Sequence, residues 1–175
     1  MSQLSMRRIS IVGCSGGGKS TLAKKLGDRL GLKVIHIDQL YWLPGWVERD
    51  PADVRRLVAE AAAGEAWVME GNNSRTFDLR LPRTDTLIWI EQPRWLCLYR
   101  AIRRAALGFG RSRPDMAEGC PERFDLEFWR YIWNFNRVTA PRMAAGVAAF
   151  GPHLEIVRLH SDREIAAFLE SFDGV

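Results

Sequence analysis

The sequence contains few cysteines and no pairing pattern among them. Its three cysteines, Cys14, Cys97 and Cys120, are far apart, and none forms a C-x-x-C pair. This spacing excludes the common zinc-binding and dithiol redox motifs and indicates reduced thiols. No apolar run approaches the roughly 18 residues of a membrane span, and Ile9–Val12 is too short for the apolar core of a signal peptide. We therefore expect a soluble, cytoplasmic protein without a membrane partner.

Repeats and low-complexity segments are also absent. Their absence from the 175 residues excludes repeat architectures and long disordered linkers. Hydrophobic residues make up 47% of the chain, which is enough for one compact core, and the chain is too short for two ordinary domains. We expect a single domain over residues 1–175.

Acidic residues are missing from one stretch of an otherwise mixed sequence. The net charge of +4 is compatible with a polyphosphate ligand or with nucleic acid. Between Gln92 and Pro114 there is neither aspartate nor glutamate. The arginines of this stretch are Arg94, Arg100, Arg103, Arg104, Arg111 and Arg113. Such a concentration of positive charge requires an explanation.

A glycine-rich run near the start of the chain matches the phosphate-binding pattern G-x-x-x-x-G-K-[ST]. It lies between the strand-like segment Ile9–Val12 and a helical pattern that Gly31 can end. Backbone amides in such a loop surround phosphate oxygens, and the helix N-terminus adds positive potential. The residues expected to contact ATP are Gly13, Ser15, Gly16, Gly17, Gly18, Lys19, Ser20 and Thr21.

Two residues of this run have further chemical roles. Lys19 supplies a mobile positive charge to the terminal phosphates, and we expect it to act in catalysis. Ser20 offers a hydroxyl ligand to Mg²⁺. The run therefore predicts binding of a nucleoside triphosphate with its metal ion.

Strand and helix patterns alternate along the rest of the chain. Further strands are predicted at Lys33–Ile37, Trp67–Met69, Thr86–Ile90 and Leu154–Leu159. Further helix starts are predicted after Asp50, at Pro93, near Phe124 and at a capping box that begins with Ser161. Side chains expected to face the core from the two middle helices are Trp95, Leu98, Ile102, Ala105, Phe124, Phe128, Ile132 and Phe135. This alternation predicts an α/β fold with a parallel sheet covered on both faces.

Polar residues follow the second and third predicted strands, where ligands gather in parallel sheets. Asp38 ends the second strand, where a carboxylate suits a polar cleft and can position or deprotonate an acceptor hydroxyl. Glu70 ends the third strand, where an acid can hold Mg²⁺ through water or the Ser20 hydroxyl. Arg75 can bind an acceptor anion. The alternatives are a turn-forming aspartate, a solvated glutamate and a surface arginine.

The acid-free stretch predicts a helix followed by a loop rich in glycine and proline. Arginines that close over a transferring phosphoryl group stabilise its charge and exclude water. We expect Arg103 and Arg104 to contact ATP, and Arg111 and Arg113 to act in catalysis, with a lid at about residues 107–121. The two earlier arginines of the stretch are interpreted as a solvated helix face.

The aromatic helix permits a second interpretation. Trp129, Trp133 and Phe135 beside Arg130 and Arg137 resemble a stacking and phosphate-binding surface for single-stranded nucleic acid. The helical spacing of its apolar residues favours core packing instead. The three histidines have no metal-ligand spacing and are interpreted as structural; they are His36, His153 and His160.

Several stretches of the sequence are similar to one group of nucleotide-binding proteins. They are Gly13–Thr21, His36–Trp42, Trp46, Trp67–Arg75 and Arg111–Asp115. Together they resemble the adenylate-kinase-like P-loop NTPases of the DNA topology modulation protein family. The resemblance covers nearly the whole chain, and the second and fourth stretches are narrower signals than the phosphate loop. It implies a three-layer α/β fold with a five-stranded parallel sheet of the nucleoside monophosphate kinase type and a small lid. It also implies that the turn at Ser161 and Asp162 borders the adenine.

Two departures from the related sequences affect the expected function. Glu70 stands where relatives carry aspartate, so a different Mg²⁺ geometry is expected. The Asp-Gly-Phe-Pro-Arg motif of adenylate kinases is replaced by the segment Glu70–Arg75. This replacement weakens the case for a nucleoside monophosphate as acceptor.

These features predict a Mg²⁺-dependent, ATP-using phosphotransferase that acts on a small molecule. A phosphate acceptor is ionised near neutral pH, whereas a hydroxyl acceptor gains from a general base such as Asp38. We therefore expect a hydroxyl-bearing acceptor. The alternative is a nucleic-acid-binding regulatory ATPase that affects DNA topology. The oligomeric state stays open.

Overall fold

The computed structural model describes residues 6–172, so the two ends of the predicted domain lie outside the described residues. The strands are β1 Arg8–Gly13, β2 Val34–His36, β3 Trp42–Leu43, β4 Val47–Glu48, β5 Trp67–Glu70, β6 Thr86–Ile90 and β7 Glu155–Leu159. The α-helices are α1 Lys19–Leu30, α2 Ile37–Tyr41, α3 Pro51–Ala62, α4 Phe77–Arg80, α5 Arg94–Leu107, α6 Leu126–Phe150 and α7 Asp162–Glu170. Short 3₁₀ turns at Ser74–Thr76 and Leu81–Arg83 flank α4.

Five strands form one parallel sheet in the order β2-β5-β1-β6-β7. β1 lies at its centre, where Ile9 pairs with Val68 on one side and with Thr86 on the other. The three central strands are apolar almost throughout because helices cover both faces of the sheet. The predicted α/β fold with a five-stranded parallel sheet is confirmed.

A separate apolar cluster fills each side of the sheet. On one side, Leu26 of α1 and Leu169 of α7 pack against β1 and β6. On the other side, Phe77 of α4 packs with Ile132 and Phe135 of α6 against β1 and β6. Each large side chain that is fully buried contributes about 1.5–3 kcal/mol by leaving water. These two layers fix the positions of the loops at the carboxyl edge of the sheet.

Capping residues set three helix boundaries as the sequence predicts. Gly31 ends α1 with a φ of 64°, a conformation that glycine adopts without strain. The side chain of Asp50 accepts a hydrogen bond at the start of α3. Ser161 accepts a hydrogen bond from the backbone N–H of Glu164 at the start of α7.

The inward face of α5 differs from the predicted one. Trp95 and Ile102 were expected in the core, but they are 63% and 38% exposed, whereas Cys97 and Ala101 are buried. Small residues face inward because α5 lies very close to the phosphate loop. A Cβ atom on Gly16 would lie 2.3 Å from the carbonyl oxygen of Cys97.

One face of the aromatic helix α6 lies in the core. Ile132 and Phe135 are buried, so Phe135 cannot belong to a stacking surface. Phe124 precedes α6 and is 58% exposed, and its predicted place in the core is wrong. Across residues 6–172, no helix combines the length and apolar character that crossing a membrane requires.

No sequence pattern predicts the short elements between β2 and α3. The helix α2 follows β2 directly, and β3 pairs with β4 as an antiparallel hairpin in which Trp42 lies opposite Glu48. Elements of two to five residues are too short for a hydrophobic period to reveal them. As a result, Asp38 lies in the first turn of a short helix instead of on a strand.

Candidate active site

The phosphate loop follows β1 and depends on glycine for its shape. Gly13, Gly16 and Gly18 have φ values of 143°, 83° and 100°, which residues with a side chain rarely adopt. A Cβ atom on Gly13 would lie 2.3 Å from the carbonyl oxygen of Ile90. The backbone N–H of Gly13 donates a 3.0 Å hydrogen bond to Oδ1 of Asn72.

The N-terminus of α1 continues directly from this loop. Gly18 precedes the helix without a side-chain cap, and a Cβ atom on it would meet no atom within 4 Å. The first amides of α1 share the positive potential of the helix terminus, which favours phosphate binding. Ser15 is half-buried and Thr21 is exposed.

Lys19 and Ser20 begin α1 and contact different partners. Nζ of Lys19 donates a 3.1 Å hydrogen bond to the carbonyl oxygen of Cys14. Oγ of Ser20 donates a 3.1 Å hydrogen bond to Oε1 of Glu70. Glu70 is the last residue of β5 and lies beside Ile11 of β1. Parallel pairing thus brings the predicted metal ligands Ser20 and Glu70 together.

Glu70 has a second partner that the sequence interpretation missed. The carboxylate is buried, and its Oε1 lies 2.7 Å from Nδ1 of His36. His36 ends β2 and is the register partner of Glu70 in β5. The hydrogen bond to Glu70 raises the pKa of His36, against the effect of burial. The available signal was a histidine near the end of one predicted strand, Lys33–Ile37, and an acid directly after the next, Trp67–Met69.

The groups around Ser20 suit Mg²⁺. A hydroxyl and a carboxylate supply the oxygen ligands that this ion prefers, and Mg²⁺ takes its remaining ligands from phosphates and water. Within the described residues, no three His, Cys, Asp or Glu side chains gather into a metal site. The donor set therefore fits an ion carried by a nucleotide better than an ion held by protein alone.

Asp38 lies beyond the carboxyl end of β2, in the first turn of α2. It is exposed to solvent, yet protein atoms crowd it, and this crowding is the main cause that raises the pKa of its carboxyl. The charge of Glu70 raises the pKa further, whereas Lys19 and Arg113 oppose the shift. The phosphate loop and the lid are thus within electrostatic reach of Asp38.

Arg75 lies in the 3₁₀ turn after β5 and is exposed. Its carbonyl oxygen accepts a 2.6 Å hydrogen bond from Nη1 of Arg55. Burial and a hydrogen bond to Glu48 raise the pKa of Tyr41 to about 12, and the charge of Arg75 opposes this shift. Arg75 is therefore near α2, the element that carries Asp38.

The predicted lid, residues 107–121, has a cluster of charged side chains at its base. Arg113 forms ion pairs with Asp115 at 2.6 Å and with Glu122 at 2.5 Å. Nε of Arg104 lies 2.9 Å from the same oxygen of Glu122. Two of the four predicted arginines therefore meet at one buried carboxylate.

The other arginines of the acid-free stretch have different surroundings. Arg103 and Arg111 are exposed, and their side chains form no hydrogen bond or ion pair with any residue that the structure describes. Arg100 pairs with Asp162 at 2.5 Å, and Arg94 stacks on the ring of Trp133 at 4.2 Å. Arg94 is exposed and Arg100 is half-buried, so both lie at the surface, where each also contacts a neighbouring side chain.

The second half of the lid is docked on the β3–β4 hairpin. Nε1 of Trp46 donates a 3.0 Å hydrogen bond to the carbonyl oxygen of Pro121. Nε2 of Gln39 donates a 2.7 Å hydrogen bond to the carbonyl oxygen of Pro114. The apolar residues in this contact are Met116, Ala117, Cys120, Trp42 and Trp46. The lid is thereby tied to α2 and to the hairpin that follows it.

Two further residues support the end of β5. Asn72 donates a 3.3 Å hydrogen bond from Nδ2 to the hydroxyl of Tyr131, so it links the phosphate loop to α6. Arg80 is fully buried and donates a 2.5 Å hydrogen bond from Nη2 to the carbonyl oxygen of Gly71. Burial lowers the pKa of Arg80 to about 10, which the charge of Glu70 opposes. No sequence pattern identifies Arg80, because its contact depends on how α4 packs beneath β5.

Solved structures with a similar fold are P-loop kinases. Shikimate kinase from Acinetobacter baumannii in complex with shikimate has a TM-score of 0.64 and 15% identity, covering 95% of this chain and 90% of that chain. Shikimate kinase from Bacteroides thetaiotaomicron has a TM-score of 0.54 and 19% identity, covering 97% of each chain. A gluconokinase from Sinorhizobium meliloti 1021 has a TM-score of 0.52 and 16% identity, covering 95% of this chain and 93% of that chain.

These similarities establish the fold of the chain. It is a P-loop NTPase fold of the nucleoside monophosphate kinase type, shared with small kinases. No protein-family model matches the sequence, and a search of curated proteins finds no significant match.

Proposed function

We propose that this chain is a Mg²⁺-dependent phosphotransferase that transfers the γ-phosphate of ATP to a hydroxyl group of a small molecule. The position of Asp38 carries this proposal. A phosphate loop serves ATPases and kinases alike, but a carboxyl of raised pKa, near Lys19 and separate from the Ser20–Glu70 pair, suits activation of an acceptor.

The phosphate loop and its neighbours hold the nucleotide. Residues Gly13 to Thr21 bind the β- and γ-phosphates, and Lys19 follows the transferred group. Ser20 and Glu70 hold Mg²⁺, and His36 orients the Glu70 carboxylate. When bound, the ion neutralises negative charge on the phosphates.

The acceptor side and the lid complete the site. Asp38 and Arg75 face the acceptor, Arg103 and Arg104 contact ATP, and the lid arginines Arg111 and Arg113 stabilise the charge that develops on the phosphoryl oxygens. The docked lid also keeps water away from the transferring group, which limits hydrolysis of ATP.

The transfer step moves a proton and a phosphoryl group. Asp38 accepts the proton of the acceptor hydroxyl while the hydroxyl oxygen forms a bond to the γ-phosphorus. The bond between the γ-phosphorus and the β–γ bridging oxygen breaks, and ADP leaves with that electron pair. The raised pKa favours this role, because a carboxylate with a higher pKa is a stronger base.

The comparisons support the small size of the acceptor. The similar structures are named as kinases of shikimate and gluconate, and one of them was solved with shikimate bound. The narrower assignment to the DNA topology modulation protein family remains part of this proposal. It rests on the stretches His36–Trp42 and Trp67–Arg75.

A regulatory ATPase that binds nucleic acid is the second candidate. One observation favours it, since Trp95 and Trp133 are 63% and 44% exposed and Arg94 stacks on Trp133. Exposed aromatic rings beside arginines can stack on bases and contact phosphates. In this case ATP hydrolysis would depend on nucleic acid.

Release of ADP in the presence of Mg²⁺ and ATP distinguishes the two functions. The panel consists of sugars, polyols, hydroxy acids, nucleosides, nucleoside monophosphates and single-stranded DNA. We expect at least one hydroxyl compound to increase ADP release, and Lys19→Ala to abolish the increase, whereas Lys24→Ala on the exposed side of α1 should retain it. Stimulation by DNA alone would contradict the proposal.

A further inference from the structure

One buried carboxylate at the base of the lid has no role in the proposed function. Glu122 follows the lid directly and is 8% exposed. Its backbone N–H donates a 2.9 Å hydrogen bond to the carbonyl oxygen of Arg111, and its own carbonyl oxygen accepts a 3.0 Å hydrogen bond from Gly110. Backbone contacts to the start of the lid therefore fix the position of Glu122, independently of its carboxylate.

The carboxylate of Glu122 lies between two arginines from different elements. Its Oε1 is 2.5 Å from Nε of Arg113 in the lid and 2.9 Å from Nε of Arg104 in α5. Nη1 of Arg113 donates a 2.6 Å hydrogen bond to Asp115. In the described part of the chain, Nη2 of Arg113 and both Nη atoms of Arg104 form no hydrogen bond. Nε of Arg104 is buried and its contact with Glu122 is an ion pair without a hydrogen bond. Glu122 thus contacts the inner nitrogen of each arginine, and the outer nitrogens have hydrogen-bonding capacity left for an anion.

The guanidinium groups of Arg113 and Arg104 both contact Oε1 of Glu122. Without the negative charge of this carboxylate between them, the two positive groups would repel each other. Burial lowers the pKa of Arg104, and the charge of Arg113 lowers it further, while Glu122 and Asp115 oppose the shift. Replacing Glu122 by glutamine removes the compensating charge but keeps the size of the side chain and both backbone contacts. Arg113 and Arg104 would then separate.

We propose that Glu122 is a positioning residue that holds Arg113 and Arg104 as a pair facing the γ-phosphoryl group during transfer. Glu122 does not touch the substrate and acts through the two arginines. This inference rests on the proposed function, because it requires phosphoryl transfer at the phosphate loop. It means that transfer requires a negative charge at the base of the lid, in addition to the positive charges of Arg111 and Arg113.

The first experiment compares Glu122→Gln with Glu118→Gln. Glu118 is an exposed residue of the same lid, so this control makes the same chemical change away from the arginines. We expect Glu122→Gln to lower kcat by about tenfold or more with less than a threefold change in KM for ATP, because the arginine pair is needed mainly in the transition state. Glu118→Gln should match the wild type. Unchanged kcat in Glu122→Gln would overturn the assignment.

A double-mutant cycle tests whether Glu122 acts through Arg113. If it does, Glu122→Gln should lower kcat by less than about threefold in an Arg113→Ala background, because Arg113 is already missing and only the part of the effect that acts through Arg104 remains. A full tenfold loss in that background would overturn the assignment and indicate a general structural effect. Thermal denaturation checks that each variant is folded. If Glu122→Gln does not fold, Glu122→Asp, which keeps the charge on a shorter side chain, enters the same cycle with the same expected dependence on Arg113.

The assay separates failure of this inference from failure of the proposed function. If no acceptor stimulates ADP release by the wild type, the proposed function fails, and ATP hydrolysis provides the readout for Glu122 because water attacks the same phosphoryl group. If the wild type phosphorylates an acceptor and Glu122→Gln has the same kcat, only the positioning role of Glu122 is overturned.

Discussion

At the scale of single residues, two carboxylates with different surroundings account for the proposed chemistry. Glu70 is buried, and Ser20 and His36 contact its Oε1. Asp38 is exposed and has no hydrogen-bond partner for its side chain among the described residues. Different environments give similar groups different functions. Glu70 is suited to hold a metal ion, and Asp38 remains available to exchange a proton.

Asp38→Asn tests the role of Asp38 as a general base. The amide keeps the size of the side chain but cannot take a proton, so kcat should fall by roughly 10² or more. Calorimetric titration should show ATP affinity close to that of the wild type. In the wild type, kcat should increase with pH through the raised pKa of Asp38. Brisk phosphorylation of a nucleoside monophosphate that survives Asp38→Asn would contradict this role.

The same substitution should change stability in a pH-dependent way. The folded-state pKa of Asp38 is raised above the value of about 3.9 expected in the unfolded chain. The ionised carboxylate therefore destabilises the fold above the folded-state pKa, and this cost disappears as the pH falls through that pKa. Asp38→Asn should raise the Tm at pH 8, and the difference from the wild type should narrow in acid.

Asp78 provides a control of opposite sign for this measurement. Its ion pair with Arg55 at 2.6 Å lowers the pKa of Asp78. The ionised form therefore stabilises the fold above the ordinary carboxyl pKa, and this contribution is lost as the pH falls through the lowered pKa. Asp78→Asn should lower the Tm at pH 8. Equal Tm changes of the same sign in both variants would contradict the assignment of the two pKa shifts.

At the scale of elements, the predicted lid and the β3–β4 hairpin pack against each other. The hairpin supplies Trp42 and Trp46, against which the lid places its apolar residues. Hydrogen bonds from Gln39 and Trp46 fasten the lid to α2 and to the hairpin. Binding of the acceptor near α2 and binding of ATP beneath the lid should therefore influence each other.

Two glycines of the lid test this contact. Gly119 and Gly110 have φ values of 73° and 75°, so alanine at either position has a similar backbone cost of about 1–2 kcal/mol. A Cβ atom on Gly119 would lie 2.8 Å from Cβ of Pro44, whereas on Gly110 it would meet nothing within 4 Å. Gly119→Ala should shift tryptophan fluorescence and lower kcat more than Gly110→Ala does. Equal effects would show that docking does not depend on this contact.

At the scale of the whole molecule, the sequence predicts the sheet and its main helices because their signals are local. The central strands are buried and rich in apolar residues. Residues such as Gly31, Asp50 and Ser161 mark helix ends through their own backbone or side-chain geometry. The phosphate loop is recognisable for the same reason. Its glycine positions and the Lys19–Ser20 pair follow from local geometry.

The contacts between elements could not be predicted from one sequence. Whether Cys97 or Trp95 faces inward depends on how closely α5 approaches Gly16. The pairing of His36 with Glu70 depends on β2 lying next to β5, although 34 residues separate them along the chain. Glu122 shows no motif, because its role depends on arginines brought together by the lid.

The most direct test of the proposed function follows the γ-phosphate itself. The wild-type protein is incubated with ATP carrying ³²P at the γ-position, Mg²⁺ and the acceptor that most increases ADP release. The products are separated into ATP, inorganic phosphate and phosphorylated acceptor. We expect the label on a hydroxyl oxygen of the acceptor, in amounts equal to the ADP formed, and a much slower appearance of the label with Asp38→Asn. Label found only in inorganic phosphate, with release stimulated by single-stranded DNA, would show that the protein is not a kinase of this acceptor.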